Sequence, residues 1–172
     1  PEEDHQALED GSVYKGHVDP DGARNGEGTM TFSLENPDEL RAEYTGRWRN
    51  GKQEGRGKLL WKNGDVYVGN FSGNQMHGEG ELSCCDGASY KGRWKDGYRH
   101  GKGVDKLPNG DIYDGSWKTG KYHGSGKKVW RSGVYTYEGQ WKKGNMHGVG
   151  TYRFAGGNTH GFFEEGKLHG RH

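Results

Sequence analysis

One tripeptide constrains the fold more than any other feature. Tyr-x-Gly recurs as Tyr14-Lys15-Gly16, Tyr44-Thr45-Gly46, Tyr67-Val68-Gly69, Tyr90-Lys91-Gly92, Tyr113-Asp114-Gly115 and Tyr137-Glu138-Gly139, with the tyrosines 30, 23, 23, 23 and 24 residues apart. Two residues after each of these glycines stands Trp48, Phe71, Trp94, Trp117 or Trp141, with Val18 in the first copy. Eleven residues after the tyrosine follows a Gly-x-Gly, at Gly55/Gly57, Gly78/Gly80, Gly101/Gly103, Gly124/Gly126 and Gly148/Gly150; the first copy has it one residue later, at Gly26/Gly28. A degraded seventh unit reads Thr159, Gly161, Phe163, Gly166 and Gly170. A fixed period of this size marks a repeat architecture, in which each unit is covered only by its neighbours.

Inside a copy the side-chain period is two. Tyr90, Gly92 and Trp94 fall on one face of a strand and Lys91, Arg93 and Lys95 on the other. Gly55, Gly57, Leu59 and Trp61 likewise share a face, as do Gly148, Gly150, Tyr152 and Phe154. Turn signals separate these runs. Asn50-Gly51, Asp96-Gly97 and Thr119-Gly120 lie within copies, and Asn63-Gly64, Asp86-Gly87 and Asn109-Gly110 between them. Such dipeptides favour primed two-residue turns. Each unit therefore reads as two short strands, and the chain as an all-β, elongated, single-layer antiparallel meander of tandem hairpins. About 13 strands at roughly 4.8 Å spacing would extend on the order of 60 Å.

Composition fits this reading and excludes others. Glycine occupies 34 of 172 positions, while Leu, Ile, Val and Phe together fill only 22. So few aliphatics would suggest disorder, but net charge is +1 and Trp, Tyr and Phe number 6, 10 and 5. Four prolines and no three-residue glycine period exclude collagen. No apolar run reaches the roughly 20 residues of a membrane span. The Gly-x-Gly pairs can lie across from aromatic rings, which would use their bare backbone as a surface to cover. Adjacent Cys84 and Cys85 point to opposite strand faces and read as two reduced thiols, which implies a cytoplasmic setting.

The segment Tyr90-Lys-Gly-Arg-Trp-Lys-Asp-Gly-Tyr-Arg-His-Gly-Lys-Gly103 resembles the motif of the MORN (membrane occupation and recognition nexus) repeat family, Y-x-G-x-W-x-x-G-x-x-H-G-x-G, nearly position by position. The resemblance runs from Tyr14 to Gly170. It implies a β-hairpin repeat array and roles in cytoskeletal, ciliary or membrane-contact assemblies. Family members have been linked to phosphoinositides, and similar arrays accompany lipid kinases and methyltransferases as regulatory parts. Residues 1–13 read as an acidic lead-in and 14–172 as the array, with repeats from 14, 44, 67, 90, 113 and 137 and the degraded unit from about 159. The stretch 33–40 is acidic, contains Pro37, and reads as a lengthened inter-repeat loop, either solvated or in contact with a partner. A start without Met and a stop partway through a unit suggest a piece of a longer chain, whose last edge strand would be uncapped.

Candidate chemistry is sparse. His77, His100, His123, His147 and His169 share one repeat position, with Asn25 and Glu54 there in the first two copies. Equivalent positions lie two strands apart, roughly 10 Å, too far to share a metal with bonds of about 2 Å. A turn-anchoring hydrogen bond accounts better for them. The glycine pairs lack the strand–loop–helix setting of a phosphate cradle. No nucleophile–base set or recurrent carboxylate pair stands out, so no enzyme activity, cofactor or metal is expected.

Two surfaces remain as binding candidates. The first is a trough of rings formed by Tyr44, Trp48, Tyr67, Phe71, Tyr90, Trp94, Tyr113, Trp117, Tyr137 and Trp141. A single layer offers nothing to cover it, so an extended or helical segment of a protein partner is expected to dock there. The second is basic. Residues 1–40 carry a net −9, whereas 91–144 carry a net +8. Lys91, Arg93 and Lys95, with Lys118 and Lys142 at matching parity, face away from the rings and are the alternative contact, to an anionic lipid surface or an acidic protein segment. Nucleic acid is disfavoured, because the rings and the cations lie on opposite faces.

Overall fold

In the computed structural model, which describes residues 2–130 and 133–171, the chain divides into two compact units, Pro1–Cys85 and Asp86–His172. The first unit holds β1 (Glu2–Ala7), β2 (Val13–Val18), β3 (Arg24–Thr31), β4 (Arg41–Arg49), β5 (Lys52–Trp61), β6 (Val66–Ser72) and β7 (Gln75–Ser83). The second holds β8 (Ser89–Lys95), β9 (Tyr98–Lys106), β10 (Ile112–Lys118), β11 (Lys121–Trp130), β12 (Tyr135–Lys142), β13 (Asn145–Phe154), β14 (Gly157–Glu164) and β15 (Lys167–Arg171). Within each unit the strands pair in chain order and every pair is antiparallel. The chain is thus all-β, an up-and-down meander of tandem hairpins in a single layer.

Two strands lie beyond the periodic signal. β1 forms in the acidic lead-in, paired with β2 from Glu2↔Val18 to Ala7↔Val13. Its sequence lacks apolar alternation. Backbone pairing alone makes it a strand, helped by a turn in which the Leu8 N–H donates to the Ser12 carbonyl at 2.8 Å. β15 completes the degraded seventh unit by pairing with β14.

The two kinds of turn differ, which corrects the expectation of primed turns at both. Within copies both central residues have positive φ, as at Asn50 (49°) and Gly51 (76°), so these are primed two-residue turns. Between copies only the glycine does, as at Gly64 (94°) and Gly110 (87°). There the Trp61 N–H donates to the Asp65 carbonyl and the Gly64 N–H to the Trp61 carbonyl, each at 3.0 Å. The asparagine works through its side chain instead: Asn63 Oδ1 accepts the Asp65 N–H at 2.9 Å, and Asn109 Oδ1 the Asp111 N–H at 3.0 Å.

Glycine is demanded twice per copy, and the Tyr44 hairpin shows why. Gly46 pairs with Gly57, and the Tyr44 ring lies over both, so a Cβ on Gly57 would come within 2.6 Å of the ring's Cζ. One step along, Trp48 pairs with Gln53, so two residues are looped out of β5. Gly55 sits in that bulge at φ +69°, a conformation side-chain-bearing residues rarely adopt. The same shift recurs at Gly69/Phe71, Gly92/Trp94 and Gly115/Trp117.

Consecutive copies are stapled through their turns. A turn N–H donates to the carbonyl of the residue that opens the bulge in the preceding copy: Gly51 to Arg24 at 3.0 Å, Asn74 to Gln53 at 3.1 Å, Gly120 to Arg99 and Gly144 to Tyr122 at 2.9 Å, and Gly166 to Met146 at 3.0 Å. The 33–40 insertion is a longer loop between copies, tied down by the Lys62 ammonium, which donates to the Ser33 carbonyl at 3.0 Å. Leu34 and Leu40 remain exposed on it.

Candidate functional site

The aromatic residues of the proposed trough do share one face in each unit, but they are not exposed. Tyr44, Tyr67, Tyr90, Tyr113 and Tyr137 retain 0–1% of their surface, and Trp48, Phe71, Trp94, Trp117 and Trp141 retain 3–5%. The expectation of an open, uncovered trough is therefore corrected: these rings are the core. Packing among themselves explains most of it. Trp48 lies edge-on between Tyr14 (5.4 Å between centroids) and Tyr44 (5.1 Å), and Phe71 between Tyr44 (5.0 Å) and Tyr67 (5.1 Å). In the second unit Trp117 bridges Tyr90 and Tyr113, Trp141 bridges Tyr113 and Tyr137, and Phe163 of the degraded unit closes on Tyr137. Each such pair contributes about 0.5–1.5 kcal/mol beyond its buried area.

The polar atoms of this ladder are satisfied internally. The Tyr14, Tyr44, Tyr67, Tyr90, Tyr113 and Tyr137 hydroxyls each donate to the carbonyl three residues on, as Tyr44 does to Arg47 at 2.9 Å. The indoles of Trp48, Trp117 and Trp141 donate to the carbonyls of Gly28, Gly103 and Gly126 in the preceding copy, at 3.0–3.1 Å. Burial pushes the Tyr44, Tyr67 and Tyr113 hydroxyls well above the ordinary phenol range.

Against the ladder stands one residue per copy that motif reading passed over. It stands nine places after the tyrosine, ten in the first copy: Arg24, Gln53, Met76, Arg99, Tyr122 and Met146. Its register places it against the aromatic of its own hairpin, as in Trp48↔Gln53 and Trp94↔Arg99. The Arg24 guanidinium lies 4.8 Å from the Trp48 ring, and that of Arg99 lies 4.7 Å from Tyr90 and 5.2 Å from Trp117. Tyr122 stacks on Tyr113 at 3.8 Å. Arg99 and Tyr122 share Asp105: Arg99 Nη1 donates to Oδ1 at 2.8 Å and the Tyr122 hydroxyl to Oδ2 at 3.3 Å. Burial, with Asp105 adding to it, pushes the Tyr122 hydroxyl up to about 12. The signal that could find this position is its near-constant offset from the tyrosine, nine residues in five copies and ten in the first, since its residue type varies.

At the histidine position, side chains in two copies hold the turn of the next copy. Glu54 Oε2 accepts the Gly73 N–H of the next copy at 3.0 Å, and His123 Nδ1 accepts the Lys143 N–H at 3.5 Å. On the opposite face of the second unit, Lys91, Arg93, Lys95, Lys118 and Lys142 are all exposed, as their parity requires. Lys118, Thr119, Lys121, His123 and Lys143 line a surface recess of about 350 Å³.

Beside the closed ladder, on the same face, Trp61, Trp130 and Phe154 stay partly open where the second strands of their hairpins end, while Phe32 is buried at that place and Cys84 and Leu107 hold it in the other two copies. In the second unit Trp130 lies 6.2 Å from Tyr152, and Tyr152 6.2 Å from Phe154. Trp130 is half-buried and Phe154 exposed. Asn109, Asp111, Trp130, Tyr135 and Tyr152 line an open cleft of about 390 Å³.

These geometries define a hairpin-repeat array, and comparison with known proteins gives it a family. The MORN repeat model matches residues 21–33, 44–66, 67–89, 90–112, 113–135 and 137–159. The chain belongs to the MORN repeat family. No curated protein matches it in sequence. Among solved structures it is similar to the TCP domain of SAS-4 (dCPAP) of Drosophila melanogaster, solved in complex with a proline-rich motif of Ana2 (dSTIL). That match has 12% identity and a TM-score of 0.47, and covers 94% of this chain and 90% of the other.

Proposed function

We propose that this chain is a non-enzymatic interaction scaffold that binds an extended or helical segment of a protein partner. Its setting in this proposal is cytoplasmic, within a cytoskeletal, ciliary or membrane-associated assembly. The observation that carries the reading is the division of labour on the ring face. The repeated Tyr and Trp/Phe positions are consumed by the core, while the neighbouring row with Trp130, Tyr152 and Phe154 keeps aromatic surface open to solvent. Partly open aromatics on a stiff backbone suit protein recognition. The docking residues are thus moved from the ladder to this outer row. Affinity capture from native lysate tests the reading. Trp130→Ala with Phe154→Ala is expected to lose the captured partner while the fold is kept; full retention of every captured protein would overturn it.

A second reading is favoured by the recess at Lys118, Lys121 and Lys143 and by exposed Lys95 and Lys142 nearby in sequence. It makes the basic surface of the second unit a contact for anionic lipid, each cation near the membrane contributing about 1 kcal/mol. Sedimentation with phosphatidylserine vesicles tests it. Reversing Lys95, Lys118 and Lys142 to Glu should release the protein, and unchanged sedimentation of the wild type and variant would sink it.

A further inference from the structure

Two equivalent places in the array differ at one residue. In the fourth copy Arg99 pairs with Trp94 and Asp105 with Tyr90. In the first copy the same register sets Arg24 against Val18 and Met30 against Tyr14. The two arginines have matching surroundings. Each carbonyl accepts the N–H of a turn glycine in the next copy, Gly51 for Arg24 and Gly120 for Arg99. Each guanidinium lies over the next copy's tryptophan, 4.8 Å from Trp48 and 5.2 Å from Trp117. What changes is the carboxylate. Asp105 is 3% exposed and accepts from two sides, from Arg99 Nη1 at 2.8 Å and from the Tyr122 hydroxyl at 3.3 Å. Met30, in its place, brings no charge.

The groups that would meet such a carboxylate are nevertheless present. Arg24 Nη2 donates to the Gly51 carbonyl at 2.9 Å, while Arg24 Nε is buried with no hydrogen-bond partner among the described residues. Gln53 holds in the second copy the place of Tyr122 in the fifth, and it is 2% exposed. Its backbone N–H donates to Asn74 Oδ1 at 2.8 Å, but its side-chain amide has no partner among the described residues. Arg24 and Gln53 both line a recess of about 260 Å³ in the first unit, with Leu8, Met30 and Trp48 as apolar walls. The two other charged groups there are otherwise engaged. Asp10 Oδ1 accepts the Ser12 N–H at 2.9 Å, and Asp10 makes no ion pair with Arg24. Arg41, whose Cζ covers Phe32 at 4.1 Å, donates from Nε to Glu39 Oε1 at 2.8 Å and from Nη2 to Oε2 at 2.6 Å. A buried guanidinium N–H and a buried amide are costly to leave unpaired, and a carboxylate is the acceptor that bonds a guanidinium most strongly.

We infer that this recess receives the carboxylate of an acidic side chain from the protein partner, seated against Arg24 and Gln53 as Asp105 is seated against Arg99 and Tyr122. This rests on the scaffold reading and names the chemistry of its partner at one place. The apolar walls favour an acid flanked by apolar residues. Residues 1–40 carry a net −9, so the surrounding field repels an acidic run and the recess selects a single carboxylate.

The test uses the full chain and short peptides. The indole N–H resonance of Trp48, which lies by the Arg24 guanidinium and is assigned by its loss in Trp48→Phe, is followed during titration with Ac-Leu-Glu-Leu-NH2 and with its glutamine counterpart. The glutamate peptide is expected to give a saturable shift, and the glutamine peptide to bind at least about tenfold more weakly. The Trp117 indole should stay in place, because its arginine already has Asp105. Arg24→Gln should weaken the glutamate peptide by a similar factor, and Met30→Asp, which builds the carboxylate in, should abolish its binding. Absence of a saturable shift at Trp48, an equal shift at Trp117, or equal binding of the glutamine peptide or of sodium acetate overturns the inference. So does undiminished binding to a folded Met30→Asp variant. The comparison of the two peptides needs no variant and survives any folding defect. If it fails while the Trp130/Phe154 capture experiment succeeds, the scaffold reading stands and only the acidic contact is wrong.

Discussion

Phe32 and Trp130 occupy equivalent places in two copies of one repeat, and their surroundings are opposite. Around Phe32 the chain closes its own surface. The 33–40 insertion brings Glu39, Glu39 fixes Arg41, and Arg41 covers the ring, while Ser33 is buried behind it with its N–H donating to Ser12 Oγ at 3.0 Å. Around Trp130 no comparable insertion follows, Asp111 replaces Ser12 and Tyr135 replaces Ala42, and a cleft stays open. The same backbone thus yields a closed surface at one place and an open cleft at another. Constant positions make the sheet, and substitutions at the ends of the second strands decide what it presents.

Breaking the constant positions should have the largest effect. Trp117→Ala removes a ring that bridges Tyr90 and Tyr113 and lies under Arg99, and is expected to cost about 3–5 kcal/mol, the range for truncating a large buried aromatic and leaving a cavity. Trp130→Ala, in the open row, should cost under about 1 kcal/mol. Denaturant unfolding of the second unit, followed by circular dichroism, compares the two; equal losses would erase the distinction between ladder and row.

Next in size is the alkaline limit. Tyr44, Tyr67, Tyr113 and Tyr122 all have hydroxyls raised by burial, Tyr122 to about 12. A raised folded-state value means the folded chain holds these protons more tightly than the unfolded one. Their contribution is therefore complete below about pH 10, the unfolded tyrosine value, and is lost as pH climbs towards 12 and beyond. Tyrosinate absorbance should rise together with loss of β-structure in this window. Titration of all ten tyrosines near pH 10 with the fold intact would contradict the buried ladder.

A smaller effect probes the closed side of the comparison. The Arg41 hydrogen bond, joined by the nearby charges of Arg41 and Lys62, holds the Glu39 carboxyl below the usual range against a weaker opposing effect of burial. Its stabilisation is present above the unfolded glutamate value of about 4.3 and fades as pH falls through the folded one. Glu39→Gln should therefore lower the melting temperature by a few degrees at neutral pH and leave it unchanged in acid; an equal loss at both would assign the effect to packing instead. Arg41→Ala removes the same ion pair and also uncovers Phe32, so it should cost at least as much at neutral pH and should sensitise the first unit to binding of a hydrophobic dye.

Much of this was legible in the sequence because it is periodic. Tyr-x-Gly-x-Trp fixed the hairpins, alternation fixed which face carries the rings, and Asn50-Gly51 and its equivalents fixed the primed turns. The glycines beneath the tyrosine rings were also readable, since a strand glycine needs a ring or a backbone to justify it. Burial of the rings was not. Ring-on-ring packing supplies most of it, and the rest comes from Arg24, Gln53, Arg99 and Tyr122, which share only a place nine or ten residues after the tyrosine; residues as different as these carry no hydropathy pattern. β1 escaped notice for a related reason: Glu2–Ala7 is a strand through its pairing with β2, not through its own side chains. The turns between copies misled because Asn63 and Asn109 act as acceptors for the N–H two residues on, so an Asn-Gly pair there does not force two positive φ values.

The central claim, that the aromatic ladder is a closed core and the neighbouring row is the open surface, has a direct test in the hydrogen exchange of the indole N–H groups. Trp48, Trp117 and Trp141 donate to backbone carbonyls from buried positions, whereas Trp61 and Trp130 are half-buried. The first three are predicted to exchange orders of magnitude more slowly than the last two. Exchange of Trp48, Trp117 and Trp141 as fast as that of Trp61 and Trp130 would mean that the ladder is open to solvent, and the account would fail.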